Sequence, residues 1–470
     1  MAGPHRPGVT GAQPAVEQES PRGRRRHIRP PGAPPAPAPV WPPFVQGAVG
    51  LALTGGFGLG GLLFASLVAG APAGVWWLAA AQAHGHAQLF GWAGLMIVGV
   101  ALHFLPRFRG APPVSPRAGR WVFGLALAGL LLRLGAQPAL ALTEGPAGAL
   151  AAIVLVVSGG LELIAATLAV GLLLRVLRAG RQPLRERPGL VAVLPFFLVS
   201  VGSLWLALAL NVWAVTAAAW QTTALPPPPL QYAVVHVALY GFLLPVAVAM
   251  SARTFPLYLR TRLPRHGVLQ AGLALLLIGA GLRLAWDLLP ARPMTGAGNL
   301  ALAASLGLFC FGVGVFAPRQ HLPHERVRVF GDPVQLHLVG AYGWLTLAGG
   351  FLALNGLADL GGMAVAIPRD AERHALGAGF ITLLILGVGP AMLPGFASRP
   401  LRQPRLLWAT LALGALAAVL RVVPPLLPAL PAPPLMALAG ASGLAALVVF
   451  AWNVPLAPRR PTASNAAAHT

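Results

Sequence analysis

Twelve apolar stretches of roughly 20 residues run from Phe44 to Val454, and they decide what this chain can fold into. A helix of about 20 residues spans the ~30 Å hydrocarbon core of a bilayer. No water reaches that core, so each spanning segment must satisfy its own backbone hydrogen bonds, which a helix does and an isolated strand does not. The expectation is an all-α integral membrane protein of about twelve transmembrane helices. Their expected positions are near 44–70, 77–105, 118–135, 146–175, 190–219, 230–258, 267–289, 296–317, 333–358, 371–394, 405–424 and 434–456. Only 9% of residues are charged and the mean hydropathy is +0.72, which leaves too little charge to coat a soluble protein of this length.

The net charge of +22, from 33 basic and 11 acidic residues, would suggest nucleic acid in a soluble chain. Here the basic residues fall in alternate loops, and no nucleic-acid partner is expected. Arg107, Arg109, Arg117 and Arg120 follow helix 2; Arg175, Arg178, Arg181, Arg185 and Arg187 follow helix 4. Later basic loops hold Arg260, Arg262 and Arg265, then Arg319, Arg326 and Arg328, then Arg399, Arg402 and Arg405. The intervening loops are nearly free of basic residues, apart from Arg292, and Arg369 with Arg373 among acids. Twelve spans with both termini in the cytoplasm satisfy the positive-inside bias. Residues 1–43, with Arg24-Arg25-Arg26 among prolines and glycines, read as a disordered basic cytoplasmic tail, and 457–470 as a second tail. The single cysteine, Cys310, excludes an internal disulfide and a CxxCH haem attachment; inside an apolar helix it reads as a packing residue.

Helices 2, 6 and 10 begin alike. His86 is followed by Gly91 and Pro106, His236 by Gly241 and Pro256, and His374 by Gly379 and Pro394, each at offsets of +5 and +20. The next helix of each set carries Arg133, Arg283 or Arg421, always 47 residues after its histidine (133−86, 283−236, 421−374). Four positions recurring three times predict three related four-helix units, near 44–175, 190–317 and 333–456. The alternation of spans places all six residues toward the outer face, at one depth. Internal repeats in membrane proteins often put the functional site where equivalent elements meet.

Ionisable groups inside a span are costly and face a cavity, a cofactor or one another. Histidine supplies a neutral nitrogen donor for haem iron or copper. Arginine can clamp haem propionates or another anion. Each also has a plain alternative, a histidine at headgroup level and a snorkelling arginine. His84 lies two residues before His86 and points ~200° away from it, so it serves another face, as a second ligand or none. Tyr240 shares a helix face with His236, one turn on, and is either a cofactor or proton-carrying contact or an interfacial tyrosine. Glu162, in the middle of helix 4, is either a proton-relay group or the partner of a buried arginine. His103 and His337 sit at the other helix ends, ~25 Å from the cluster at 1.5 Å per residue, and read as structural, with Arg253 standing at the position equivalent to His103. His5, His27, His266, His321, His324 and His469 fall in tails or loops and carry no role.

The helix 2 segment HGHAQLFGWAGLMIVGVALHFLPRFRG, from His84, together with His236–Arg253 and Arg373–Pro394, resembles the NnrS family of haem- and copper-containing membrane proteins linked to nitric oxide metabolism in denitrifying bacteria. The plan is also distantly similar to the catalytic subunit of haem-copper oxidases, with twelve helices in three arcs. The resemblance implies haem b held by His86 and His374 beside Arg133, Arg283 and Arg421, and copper at His236 or His84. It further implies a small gaseous ligand such as nitric oxide, an electron donor, and a bacterial inner-membrane location within the lipid bilayer. Helix 7 lacks the oxidases' histidine pair and helix 10 has one histidine instead of two, which argues against a full oxygen-reducing centre. The expected function is thus nitric oxide binding, response or detoxification, with redox activity left open. An anion transporter or channel built on the arginine triad, and a divergent oxidase-like subunit, are the alternatives.

Overall fold

A computed structural model describes residues 38–181, 183, 188–289, 293–320, 329–364 and 367–458. His5, His27, His321, His324, His469, Arg185, Arg187, Arg292, Arg326, Arg328 and most of both tails lie outside the described residues. From Pro39 onward the chain forms one unit. Among the described residues every regular element is a helix. Twelve helices are long and apolar enough to span a bilayer: α1 Trp41–Val68, α2 Val75–Arg109, α3 Pro116–Leu140, α4 Gly145–Arg178, α5 Gly189–Trp220, α6 Pro228–Leu257, α7 His266–Leu288, α8 Met294–Val313, α9 Pro333–Leu360, α10 Arg369–Ala397, α11 Leu406–Leu426 and α12 Ala432–Asn453. The protein is therefore a multi-pass membrane protein.

The helices match the expected positions, and the differences have simple causes. Prolines at 106, 138 and 394 stay inside their helices instead of ending them, so α2, α3 and α10 run on to Arg109, Leu140 and Ala397. In a membrane helix, neighbouring helices make up for the hydrogen bond that proline removes. Conversely α8 stops at Val313 because Gly314 adopts a left-handed conformation, with φ +68°.

Consecutive helices pack into three arcs, α3–α4–α5, α7–α8–α9 and α11–α12–α1, with α12 closing the ring against α1. Inside stand α2, α6 and α10. Their apolar segments are 72%, 83% and 72% buried, against 28–50% for the other nine, so these three form the interior. Each widens into a π-helix immediately after its histidine, over Ala87–Leu95, Val237–Leu243 and Ala375–Thr382. The three π-helical stretches touch one another pairwise at the middle of the bundle. Between α2 and α10 the contact includes a hydrogen bond from Trp92 Nε1 to Thr382 Oγ1 at 3.3 Å. The wide turns also leave polar groups to be satisfied from outside the helix, as where Ser200 of α5 donates to the Phe242 carbonyl at 2.8 Å.

The glycine five residues after each histidine has a steric reason. A Cβ on Gly91 would lie 3.0 Å from Leu51 of α1, on Gly241 2.5 Å from Ser203 of α5, and on Gly379 2.5 Å from the Trp344 ring of α9. In each case the preceding helix closes onto the inner one at that point. Gly379→Ala should overpack the rigid Trp344 ring and destabilise the bundle by about 1–3 kcal/mol. Gly377→Ala meets open space and should change little. Thermal melting of the two variants in the same detergent checks the difference; equal melting temperatures would refute it.

Candidate functional site

The repeated histidines and arginines gather in one half of the bundle, where the first halves of α2, α6 and α10 lie beside the last halves of α3, α7 and α11. They form three groups, each holding one histidine, one arginine and at least one carboxylate.

In the first group His86 Nε2 lies 2.6 Å from Glu162 Oε2 of α4, and both side chains are about 3% exposed. Arg133 of α3 is buried within electrostatic reach of both and donates from Nη1 to Asn211 Oδ1 of α5. Gly129, one turn before Arg133, makes room for the glutamate: a Cβ there would sit 2.6 Å from Glu162 Cγ. Neither role expected of Glu162 named its direct partner, which is a histidine.

The second group is a closed network. His236 Nδ1 donates to the Asp287 carboxylate, and Arg283 Nη2 donates to His236 Nε2 at 3.0 Å. Arg283 Nη1 reaches Glu372 Oε1 of α10 at 3.0 Å, and the Tyr240 hydroxyl donates to the same oxygen. The guanidinium also lies 5.8 Å from the Tyr240 ring centre. All five side chains are buried, so this network ties α6 and α7 to α10.

The third group lies nearer the surface. Arg421 Nη2 meets Asp370 Oδ2 at 2.6 Å, while His374 Nδ1 lies 2.8 Å from the Asp370 carbonyl and 3.2 Å from its carboxylate. The His374 side chain is 25% exposed, unlike His86 and His236 at 3%, so the three do not share one environment. His84 turns away from His86 toward α1, with Nδ1 2.9 Å from the Gly56 carbonyl. Gly56 is free to accept because its ψ of −116° takes it out of the helical ladder. Charge interactions link His84 with His374 and Arg421, which places it beside the third group.

His103 and His337 pack or cap, and His266, expected in a loop, is the first residue of α7. The His103 ring lies 5.0 Å from Phe396 and 6.3 Å from Trp41, and His337 Nδ1 bonds the Pro333 carbonyl at 2.7 Å. Arg253 stacks over Phe108 at 5.4 Å. An apolar cavity of about 170 Å³, bordered by Met96, Phe104, Leu177, Met250 and Met392, is lined by none of the repeated histidines or arginines.

Sequence reasoning missed Asp287, Asp370, Glu372 and Asn211. Two had a visible signal: Asp287 falls one helical turn after Arg283, and Asp370 one turn before His374.

The donor sets differ in what they can hold. A histidine that binds a metal typically donates its other ring N–H to a carboxylate or carbonyl. His84, His86 and His374 each have one nitrogen fixed in this way, and the second nitrogen has no hydrogen bond among the described residues. They fit an iron or copper ligand in chemistry. His236 does not, because Asp287 and Arg283 occupy both of its nitrogens. Among the described residues no three His, Cys, Asp or Glu side chains form a ready metal cage. The arginines also part company: Arg283 and Arg421 are each paired with a carboxylate, which weighs against an anion site shared by all three.

Removing Arg283 would leave Glu372 buried without its cation. Arg283→Ala should therefore cost about 3–5 kcal/mol. Arg421→Ala breaks a pair whose aspartate is 52% exposed and should cost about 1 kcal/mol or less. Unfolding of the two variants in mixed micelles compares them directly.

No curated protein matches the chain. The family described as NnrS protein matches over residues 41–459, which takes in all twelve helices and all three groups. The chain belongs to the NnrS family.

Proposed function

We propose that this protein binds haem b through His86 and His374 and acts in the response to nitric oxide, by binding or removing it. Family membership supports the coarser part, a membrane protein of the nitric oxide response. The observation that carries the haem reading is the state of the two histidines. His86 is held by Glu162 through one nitrogen and His374 by Asp370 through one nitrogen, leaving His86 Nδ1 and His374 Nε2 for iron. Bound haem would supply an iron atom that could take a diatomic gas in place of one of the two histidines. Arg133 stands beside His86 with Nε and Nη2 unpaired among the described residues. Nitric oxide is apolar and reaches such a site from lipid.

Copper at His236 is not carried forward, since that ring is tied on both sides; His84 is the remaining candidate for a second metal. The proton-relay role proposed for Glu162 and Tyr240 is supported by their hydrogen bonds to His86 and Glu372. The three groups, the π-helical stretches that follow the histidines of α2, α6 and α10, and the three arcs support the reading of three related four-helix units. The positive-inside bias supports cytoplasmic termini and an outward-facing site in a bacterial inner membrane.

Protein purified from cells supplied with haem should show a Soret band that shifts on adding nitric oxide. His86→Ala and His374→Ala should each abolish the band, and His236→Ala should leave it. A colourless preparation, or a band indifferent to both ligand variants, would sink the haem reading while leaving family membership intact.

A further inference from the structure

Five buried polar atoms without a hydrogen-bond partner among the described residues lie along one seam between α2, α3, α4 and α5. They are Gln137 Oε1, Arg133 Nε and Nη2, Asn211 Nδ2 and Glu162 Oε1. Glu162, Arg133, Asn211 and Gln137 are at most 2% exposed. Leaving such atoms unpaired in a hydrocarbon environment costs about 1–3 kcal/mol each. Clustered polar atoms of this kind are met by buried water, which needs two to four polar partners.

Hydrogen bonds and helical spacing link the groups of the seam. At the bundle end, under the exposed Gln221–Thr222 turn, Gln137 Nε2 donates to the Ala224 carbonyl at 3.1 Å and to Gln82 Oε1 at 2.8 Å. Gln82 is only partly buried and opens the seam to the surface. One helical turn inward, Arg133 follows Gln137 on α3 and His86 follows Gln82 on α2. Arg133 then bonds Asn211, and His86 bonds Glu162. The open atoms include donors (Arg133 Nε and Nη2, Asn211 Nδ2) and acceptors (Gln137 Oε1, Glu162 Oε1), so a small molecule that both donates and accepts can meet both kinds.

We propose that this seam holds a file of water molecules running from the bundle end at Gln82 and Gln137 inward to Arg133, Asn211 and Glu162. The waters accept from Arg133 Nε and Nη2 and from Asn211 Nδ2, and donate to Gln137 Oε1 and Glu162 Oε1, the atoms the protein leaves unpaired among the described residues. The file goes beyond the haem reading and does not depend on haem being bound.

The test asks whether water reaches the seam. In a Cys310→Ser background, Gln137→Cys and Ser158→Cys place thiols along it, Ser158 being fully buried one turn from Glu162 on α4. Leu131→Cys, on the lipid face of α3 and 51% exposed, is the control. In lipid nanodiscs, silver ion should block both seam thiols at least about tenfold faster than the control, because the reactive thiolate forms only where water is present. Equal or slower blocking at the seam would overturn the proposal. Hydrogen–deuterium exchange of the buried Arg133 guanidinium in the wild-type protein, read by infrared difference against Arg133→Lys, covers variants that fail to fold. Exchange within seconds is expected, and exchange over hours would refute the water file. Neither readout reports on haem, so failure here is distinct from failure of the haem assignment.

Discussion

The bundle depends on neutralising charge where water cannot. A lone arginine or carboxylate in hydrocarbon is expensive, and its cost falls only with a partner close by. The chain has 11 acidic residues, and four of them, Glu162, Asp287, Asp370 and Glu372, stand against a repeated histidine or arginine. This pairing decides which helices meet. Glu372 of α10 reaches Arg283 of α7 and Tyr240 of α6, and Glu162 of α4 reaches His86 of α2. The polar contacts thus run from the inner helices to the wall, whereas the apolar surfaces alone would permit many registers.

Packing of the inner three helices rests on a second constraint, backbone proximity. In lipid there is little hydrophobic drive to join helices, so close approach through small residues takes over. Gly91, Gly241 and Gly379 admit Leu51, Ser203 and Trp344. The π-helical turns around them widen each helix just after its histidine. An extra residue in a turn shifts the helical phase, so side chains before and after the π stretch face different neighbours. The histidine can then look toward the wall while the following aromatic residues fill the centre. π-Helical turns are uncommon and concentrate at functional sites.

Much of this was legible in the sequence. Span number and approximate limits follow from hydropathy, because bilayer thickness fixes the length of a crossing helix. The His–Gly–Pro and His–Arg spacings singled out the three inner helices and their three neighbours. Glu162 stood out as a lone carboxylate inside a span, and Asp287 and Asp370 lie one turn from Arg283 and His374, but no carboxylate repeats, so their partners were not legible. Glu372 gave no signal at all, because it meets Arg283 and Tyr240 from other helices. Placing Arg369 and Arg373 in a loop between helices 9 and 10 hid the adjacent Glu372, which the start of α10 turns inward. The tying-off of His236 was equally hidden, since it takes two partners from α7 that only packing brings to both sides of one ring.

The histidines at matching positions of α2, α6 and α10 therefore sit in different settings. His236 sits in a saturated network that joins two sets of helices, and a ring with both nitrogens engaged contributes cohesion. His374 is at the mouth, anchored by its own helix through Asp370 and partly open. His86 is sealed, anchored across to α4, and surrounded by donors and acceptors that are not all satisfied by protein. A ligand needs a nitrogen that is fixed yet free, and a proton carrier needs neighbours that can be hydrated. Among the three groups the His86 group combines both properties in a buried setting.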